Sequence, residues 1–148
     1  MTPFLIDMAR LFESFVAEWL AEHLPAGLSV KAQESGSYDR EGEIGYRIDL
    51  VLYDAAGRPL AVLDTKYKGD ALPDSDDIAQ VVSYATKKGC TEAVLVYPHA
   101  LGEAREFMVG RVRVRAVGFA LDGELDRAGE RLVVSLCAGS ASAPLPRS

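Results

Sequence analysis

The spacing of apolar residues along the chain predicts an opening helix and then a series of strands. From about Pro3 to His23, apolar side chains recur every three or four residues, which is typical of an amphipathic helix. Pro25 and Gly27 end this pattern, and alternation from Leu28 to Gln33 predicts a first strand. A polar loop is then expected from Glu34 to Gly45.

Two strand-like runs follow, Tyr46 to Tyr53 and Leu60 to Tyr67, and a turn containing glycine and proline separates them. This arrangement predicts an antiparallel hairpin. Its core-facing side is expected to carry these residues: Ile48, Leu50, Leu52, Ala61, Leu63 and Thr65.

Charged residues gather at the end of the hairpin that lies away from the turn. Pairing of Tyr53 with Leu60 would set the register of the ladder. This register opposes two pairs of charged residues: Asp49 with Asp64, and Arg47 with Lys66. Directly opposed carboxylates, with their Cβ atoms about 5 Å apart, destabilise a sheet unless positive charge lies between them. The pattern therefore predicts a pocket that suits a divalent cation.

The second half of the chain predicts a helical crossover and further strands. Acidic residues after Pro73 suit a helix start and Gly89 suits a helix end, so a helix is expected from Ser75 to Lys88. Glu92 to Tyr97 is apolar enough for a buried parallel strand. Two further strands are expected to extend the edge of the sheet: Arg111 to Gly118 and Leu132 to Leu136.

Length and composition favour one domain. The 148 residues, 49% of them apolar, suffice for a single core, which we place at residues 1–138, with a disordered tail at 139–148. No stretch is apolar enough to span a bilayer and the start lacks the pattern of a secretory signal, so a cytoplasmic protein without a membrane partner is expected. Cys90 and Cys137 are expected to be buried thiols.

The net charge of −6 argues against a protein that holds nucleic acid through overall electrostatics. It does not exclude a nuclease, because clustered carboxylates are what a magnesium site needs. The alternating Arg111, Arg113 and Arg115 offer one local way to follow a DNA backbone, but exposed charges on an edge strand more often prevent aggregation between sheets. We favour the second interpretation for this stripe.

The order of the elements, with Asp49 followed by Asp64-Thr65-Lys66, resembles a PD-(D/E)XK nuclease domain over roughly residues 4 to 98. Several segments are more closely similar to the McrC family, the nuclease subunit of a restriction system that cuts modified DNA. These segments are residues 11–16, residues 48–52, residues 63–68, and Gln80 with Tyr84. The resemblance implies an α/β restriction-endonuclease-like fold, with a central mixed sheet flanked by helices. Ile48 departs from the family pattern, which often has proline there.

The resemblance also implies roles for individual residues. The catalytic set is Asp49, Asp64, Lys66 and Gln80. The metal ligands are Asp49, Asp64, the backbone carbonyl of Thr65, and Glu13 as a third carboxylate. Substrate binding falls to Arg47, Lys68 and Tyr84. The expected cofactor is Mg²⁺, with Mn²⁺ as a substitute, since such a metal activates water and stabilises charge on a phosphate.

The implied function is that of a magnesium-dependent DNA endonuclease in a McrBC-like system of antiviral defence. Its expected partners are DNA and a McrB-like AAA+ GTPase subunit, with a homodimer as a further option. The chain itself has no Gly-x-x-x-x-Gly-Lys-Ser/Thr loop for a nucleotide. Two alternatives stay open: a degenerate nuclease fold that acts as a scaffold or DNA-binding module, and a stand-alone repair or RNA nuclease. For the charged residues, an ion-paired hairpin end and solvated helix faces are the simpler interpretations.

Overall fold

The computed structural model describes residues 3–67, 73–99, 105–121 and 124–142. Within these ranges, side chains are described only for residues between 7 and 137. Within them the helices are α1 (Pro3–His23), α2 (Ser75–Lys88) and α3 (Leu125–Ser142). The strands are β1 (Ser29–Ser37), β2 (Gly45–Tyr53), β3 (Pro59–Thr65), β4 (Glu92–Tyr97), β5 (Arg105–Val109) and β6 (Val112–Gly118).

In this described part of the chain, the six strands form one mixed sheet in the order β1-β2-β3-β4-β6-β5. β1, β2 and β3 pair antiparallel, β3, β4 and β6 pair parallel, and β5 returns antiparallel to β6. α1 and α3 contact each other and one face of the sheet, and α2 packs on the other face. The expected α/β architecture, a mixed sheet flanked by helices, is confirmed.

Both faces of the sheet are buried, which explains the apolar character of the central strands. On the α1 and α3 face, the buried residues include Trp19, Leu50, Leu63 and Leu132. The two helices meet closely there: a Cβ atom added at Gly129 would lie 2.2 Å from the Trp19 ring. On the α2 face, the buried residues include Val51, Val62, Val81 and Leu95.

Helix α2 begins and ends at the residues that the sequence predicts. The side chain of Asp74 caps the helix by accepting a hydrogen bond from the Asp77 backbone N–H at 2.8 Å. Gly89 ends the helix in the left-handed conformation, at φ 76°, where a residue with a Cβ atom would be strained. α2 therefore lies in the connection between β3 and β4, and these two strands pair in parallel, as predicted.

Several expected elements are corrected. β1 continues to Ser37, so the first part of the expected polar loop is a strand. It pairs with β2 through backbone groups, which need no apolar side chains. β5 was not predicted, and it takes the edge position expected for the strand after Arg111, so that β6 lies inside the sheet.

The strand expected at Leu132–Leu136 is wrong, because these residues belong to helix α3. Ala128, Leu132 and Leu136 are buried four residues apart, while Val134 is 66% exposed, as a helix requires. The helix also includes residues 139–142 of the expected disordered tail, and residues 143–148 lie outside the described part.

The expected stripe of exposed arginines is also wrong. Arg113 pairs with Glu92 at 3.0 Å and with Glu106 at 3.3 Å. Arg115 is buried and donates to the backbone carbonyl and hydroxyl of Ser135. These side chains tie β4, β5, β6 and α3 together and do not form a surface for a DNA backbone.

Two further features concern the cysteines and the helices. Both cysteines are free thiols, but only Cys90 is buried, and Cys137 is partly exposed. None of the helices in the described ranges has the length and apolar character needed to cross a membrane.

Candidate active site

A cavity of about 560 Å³ opens at the end of the β2–β3 hairpin that lies away from its turn. α1, β2, β3 and α2 all contribute to its walls. It gathers the predicted site residues that the structure describes: Glu13, Arg47, Asp49, Asp64, Thr65, Lys66, Gln80 and Tyr84. Lys68, predicted to bind substrate, lies outside the described residues. The roles of all these residues stay predictions.

The register of the hairpin brings the two aspartates together. Leu50 pairs with Leu63 and Leu52 with Ala61, as predicted, and one further step along this register sets Asp49 opposite Asp64. Near the turn the register shifts, so that Tyr53 pairs with Pro59 instead of Leu60. Lys66 lies beyond the end of β3, so the predicted opposition of Arg47 and Lys66 is not part of the observed ladder and stays a prediction.

Side-chain alternation along β2 is interrupted at Asp49. Ile48 packs in the α2-side core together with Val51, while Leu50 packs on the opposite face, so Ile48 does not lie on the face expected for it. The β1 ladder skips the Gln33–Asp49 position, where Gln33 has a φ of 57°. A non-glycine residue in this left-handed region is uncommon, and such residues cluster at functional sites.

Asp49 is anchored by the residue after Asp64. Its Oδ2 atom accepts hydrogen bonds from the backbone N–H and the hydroxyl of Thr65, both at 2.9 Å. The Thr65 side chain therefore faces the cavity instead of the core, which corrects the prediction from strict alternation. With one carboxylate oxygen held in this way, the position of the Asp49 side chain is defined before any ligand arrives.

Asp64 is buried, at 5% exposure. Burial, and next the negative charge of Asp49, raise the pKa of Asp64 to about 7, although nearby Lys66 acts in the opposite direction. Its Oδ2 atom lies 2.8 Å from Lys66 Nζ, and the same ammonium group is shared with Asp77. The Asp64 carboxylate is therefore short of positive charge.

Lys66 is held by hydrogen bonds at its backbone and at the end of its side chain. Its backbone N–H donates to the Val96 carbonyl at 2.8 Å, and its Nζ donates to Gln80 Oε1 at 2.9 Å. Burial acts to lower the pKa of Lys66, but the carboxylates around it, Asp64 first, outweigh burial and raise that pKa. The side chain is therefore an ammonium ion aimed at the carboxylates, the arrangement expected of a group that stabilises a developing anion.

Asp77 is a further site residue, which the sequence pattern did not indicate. This buried carboxylate in the first turn of α2 lies 3.6 Å from Lys66 Nζ, and its other oxygen accepts a hydrogen bond of 3.4 Å from the Tyr97 hydroxyl. Acidic residues are common at a helix start, so the sequence did not indicate that Asp77 also contacts Lys66. The signal available was the spacing to Gln80, since residues three apart share a helix face.

Glu13 and Tyr84 reach the cavity from opposite sides. Glu13, half-buried on α1, accepts a hydrogen bond of 2.8 Å from Gln33 Nε2, and burial is the main cause that raises the pKa of Glu13. Tyr84 is buried, at 8% exposure, so it is part of the core as well as of the cavity wall. Burial raises the pKa of Tyr84 as well.

The donor set fits magnesium. Mg²⁺ is usually held by one or two carboxylates with water or phosphate oxygens completing its shell, and Asp49 and Asp64 supply two carboxylates whose charge Lys66 does not balance. Among the described residues, no group of three or more His, Cys, Asp or Glu side chains could hold a metal ion. Glu13 is therefore a cavity residue outside the closest carboxylate pair.

One comparison with known proteins bears on this site. The family model described as McrBC 5-methylcytosine restriction system component matches residues 1–98, which include α1, the hairpin, α2 and β4. No curated protein matches the chain. The matched segment contains every residue that lines the cavity.

Proposed function

This chain belongs to the family of McrBC 5-methylcytosine restriction system components, and from that premise we propose that it is a metal-dependent DNA endonuclease domain. The fold proposed is of the PD-(D/E)XK type. The observation that carries the proposal is the pairing of Asp49 and Asp64 in one cavity beside the ammonium group of Lys66. Hydrolysis of a phosphodiester needs these groups: hard oxygen ligands for a cation, and a positive charge for the developing anion.

Asp49 and Asp64 would hold magnesium, with the carbonyl of Thr65 as a further ligand and Mn²⁺ as a substitute metal. A bound magnesium ion supplies a water that is nucleophilic at neutral pH and positive charge against the phosphate. The hydrogen bonds from Thr65 keep Asp49 in position, so little reorganisation is needed on binding. Glu13, which lines the same cavity, would serve through water.

Lys66 would stabilise the negative charge that develops on the phosphate. Gln80 holds the Lys66 ammonium group by a hydrogen bond of 2.9 Å, and Asp64 and Asp77 keep it charged. Arg47, exposed at the rim of the cavity, would contact the DNA backbone, and Tyr84 would form part of the wall against the substrate.

The partner that we propose is a McrB-like AAA+ GTPase that recognises modified DNA and delivers it to this chain. The family description names a component of a restriction system, which implies DNA as the target and further subunits. The net charge of −6 agrees with recognition of DNA by a partner and cleavage by this chain. An acidic chain gains little binding free energy from the release of counterions from DNA. Such a partner would supply most of the affinity for DNA.

The first test is calorimetric titration of Mn²⁺ or Mg²⁺ into the wild type and into Asp64→Ala, without DNA. We expect saturable binding in the wild type and its loss in the variant. Asp126→Ala, which removes one exposed carboxylate on α3, is the control for charge and should bind as the wild type does. Metal-dependent nicking of supercoiled plasmid that EDTA abolishes is the second readout.

Equal binding by wild type and Asp64→Ala, or none in either, would contradict a metal site in the free protein. Such a result would favour the second candidate function, a degenerate nuclease fold that serves as a scaffold. One observation favours that second candidate: among the described residues, no group of three or more potential ligands could hold a metal ion. Nicking activity in the wild type would exclude it.

A further inference from the structure

Next to the cavity lies a surface formed by Tyr38, Ile44, Tyr46 and Lys87, which we call the tyrosine surface. Tyr38 is 43% exposed and Ile44 is 60% exposed, so the loop between β1 and β2 presents large apolar groups to solvent. Lys87 reaches over the surface from α2, with its Nζ 5.7 Å from the centre of the Tyr38 ring and 5.9 Å from that of Tyr46. None of these residues belongs to the site proposed above, although Tyr46 lines its cavity.

The loop that carries this surface is held in place by its own hydrogen bonds. Oδ1 of Asp39 accepts from the Ser37 hydroxyl and from the Ile44 backbone N–H, both at 2.8 Å. The backbone N–H of Tyr38 donates to the Ile44 carbonyl at 2.8 Å, and its hydroxyl shares a hydrogen bond of 2.8 Å with Ser83 of α2. The Tyr38 ring is therefore exposed and yet fixed, which lowers the entropy cost of binding a partner.

The tyrosine surface continues into the cavity through a row of rings. The Tyr38 and Tyr46 ring centres are 5.0 Å apart, and those of Tyr46 and Tyr84 are 6.2 Å apart. The Tyr46 ring lies against Gly36 of β1, where a Cβ atom would come within 2.4 Å of the Tyr46 hydroxyl. A larger residue at position 36 would displace the outer end of this ring, so Gly36 helps to keep Tyr46 in the row that leads from solvent to Tyr84.

The charges near the surface decide how a DNA strand would be held there. Lys87 and Arg47 are exposed cations that suit phosphate, but the loop also carries the exposed acids Glu41 and Glu43. These opposed charges leave little net attraction for the backbone. An aromatic ring, in contrast, stacks on any base whose face is free, and such stacking needs no net positive charge.

We propose that the tyrosine surface stacks an unpaired base of the DNA strand that enters the cavity. The inference rests on the proposed function and names its substrate class: DNA with unpaired nucleotides beside the cleaved phosphate. Bases inside a duplex already stack on their neighbours, so an exposed ring gains a partner only where a base is single-stranded or turned out of the helix. Tyr38 is the outermost ring of the row and the first that such a base would meet.

The test measures binding of fluorescein-labelled DNA by anisotropy in EDTA, so that no cleavage occurs. A 12-nucleotide single strand is compared with a blunt duplex of the same sequence. We expect the wild type to bind the single strand more tightly, and Tyr38→Leu to weaken that binding by about tenfold. Tyr38→Phe keeps the ring and loses only the hydroxyl with its hydrogen bond to Ser83, so it should bind far more tightly than Tyr38→Leu.

Lysine variants provide a matched comparison. Lys31 Nζ lies 5.3 Å from the centre of the Tyr53 ring, so Lys31 and Lys87 are both exposed lysines over tyrosine rings. Lys31, however, lies outside the cavity wall and the tyrosine surface. Lys87→Gln should weaken binding of the single strand by about threefold, and Lys31→Gln, which makes the same charge change, should leave it unaltered.

The inference is overturned if Tyr38→Leu binds the single strand as tightly as Tyr38→Phe, or if the wild type prefers the duplex or binds neither DNA. Thermal melting of each variant shows whether it is folded. Because binding is measured without metal, its result is separate from nuclease activity. A wild type that binds single strands but neither binds metal nor nicks plasmid defeats the proposed function alone, and nicking with no effect at Tyr38 defeats the inference alone.

Discussion

Two clusters of charge lie at the two ends of helix α2, and they differ in balance. At its N-terminal end, the carboxylates of Asp64 and Asp77 lie within 3.6 Å of one ammonium group, that of Lys66, with Asp49 close by. At its C-terminal end, Lys88 donates to Glu34 at 2.7 Å, and the Tyr53 hydroxyl donates to the same carboxylate. The first cluster has an excess of negative charge, and the second is balanced.

The pKa shifts follow this difference. Burial and the charge of Asp49 raise the pKa of Asp64, whereas the hydrogen bonds from Lys88 and Tyr53 outweigh burial and lower the pKa of Glu34. A lowered carboxyl pKa means that the charged form stabilises the fold, and a raised one means that it costs stability. An uncompensated cluster in a cavity is what a cation site requires, while a balanced cluster serves the fold.

The largest expected effect is on catalysis, and it should differ between Lys66 and Lys88, the lysines of the two clusters. Lys66→Met should lower the rate of metal-dependent plasmid nicking by about 100- to 1,000-fold, because it removes a positive charge aimed at the developing anion. Lys88→Met should change the rate less than about threefold, since that ammonium group pairs with Glu34 away from the cavity. Similar losses in both variants, with both still folded, would remove the distinction between the clusters.

A smaller effect is expected at Asp77, which we take to position Lys66. Asp77→Asn should lower kcat about tenfold with little change in KM, and should move the alkaline limb of the pH–rate profile to lower pH as the Lys66 pKa falls. Asp76→Asn is the matched control, because Asp76 lies in the same first turn of α2 but is exposed. A purely structural role for Asp77 would lower the melting temperature and leave the pH profile in place.

The smallest effects concern stability without metal, measured by thermal melting in EDTA. The folded pKa of Asp64 is raised to about 7, so its contribution to stability is fully present below its ordinary pKa near 3.8 and is lost as the pH rises toward 7. Asp64→Asn should therefore melt about 3 °C above the wild type at pH 8, and this advantage should shrink toward pH 4.5. An unchanged difference across this range would show that Asp64 has an ordinary pKa.

The same experiment on Glu34 should give the opposite sign. Its folded pKa is lowered, so the stability it contributes is present above its ordinary pKa near 4.5 and is lost as the pH falls through the folded pKa. Glu34→Gln should melt about 3 °C below the wild type at pH 7, and the deficit should disappear at the acidic end. Matching signs for the two variants would contradict the contrast between the clusters.

Local patterns were sufficient for much of the fold. The bounds of α1, α2 and β4 agree with the sequence because strong caps and long apolar patterns act within a few residues. The run Leu132–Leu136 suits a strand by its β-branched residues, but the burial of Ala128, Leu132 and Leu136 shows that it is a helix. β5 is short and mostly exposed, so its sequence carries no clear strand pattern. Backbone pairing with β6 makes it a strand.

The sequence by itself determined the hairpin and the charged residues at its end, since a period of two and a turn define which residues oppose each other. The tertiary structure decided the rest of the site. It turned Thr65 toward Asp49, brought Asp77 beside Lys66 and joined Tyr38 to the cavity through Tyr46. Those contacts link residues from separate elements, and their geometry depends on how α2 and the β1–β2 loop pack on the sheet, which no local pattern encodes.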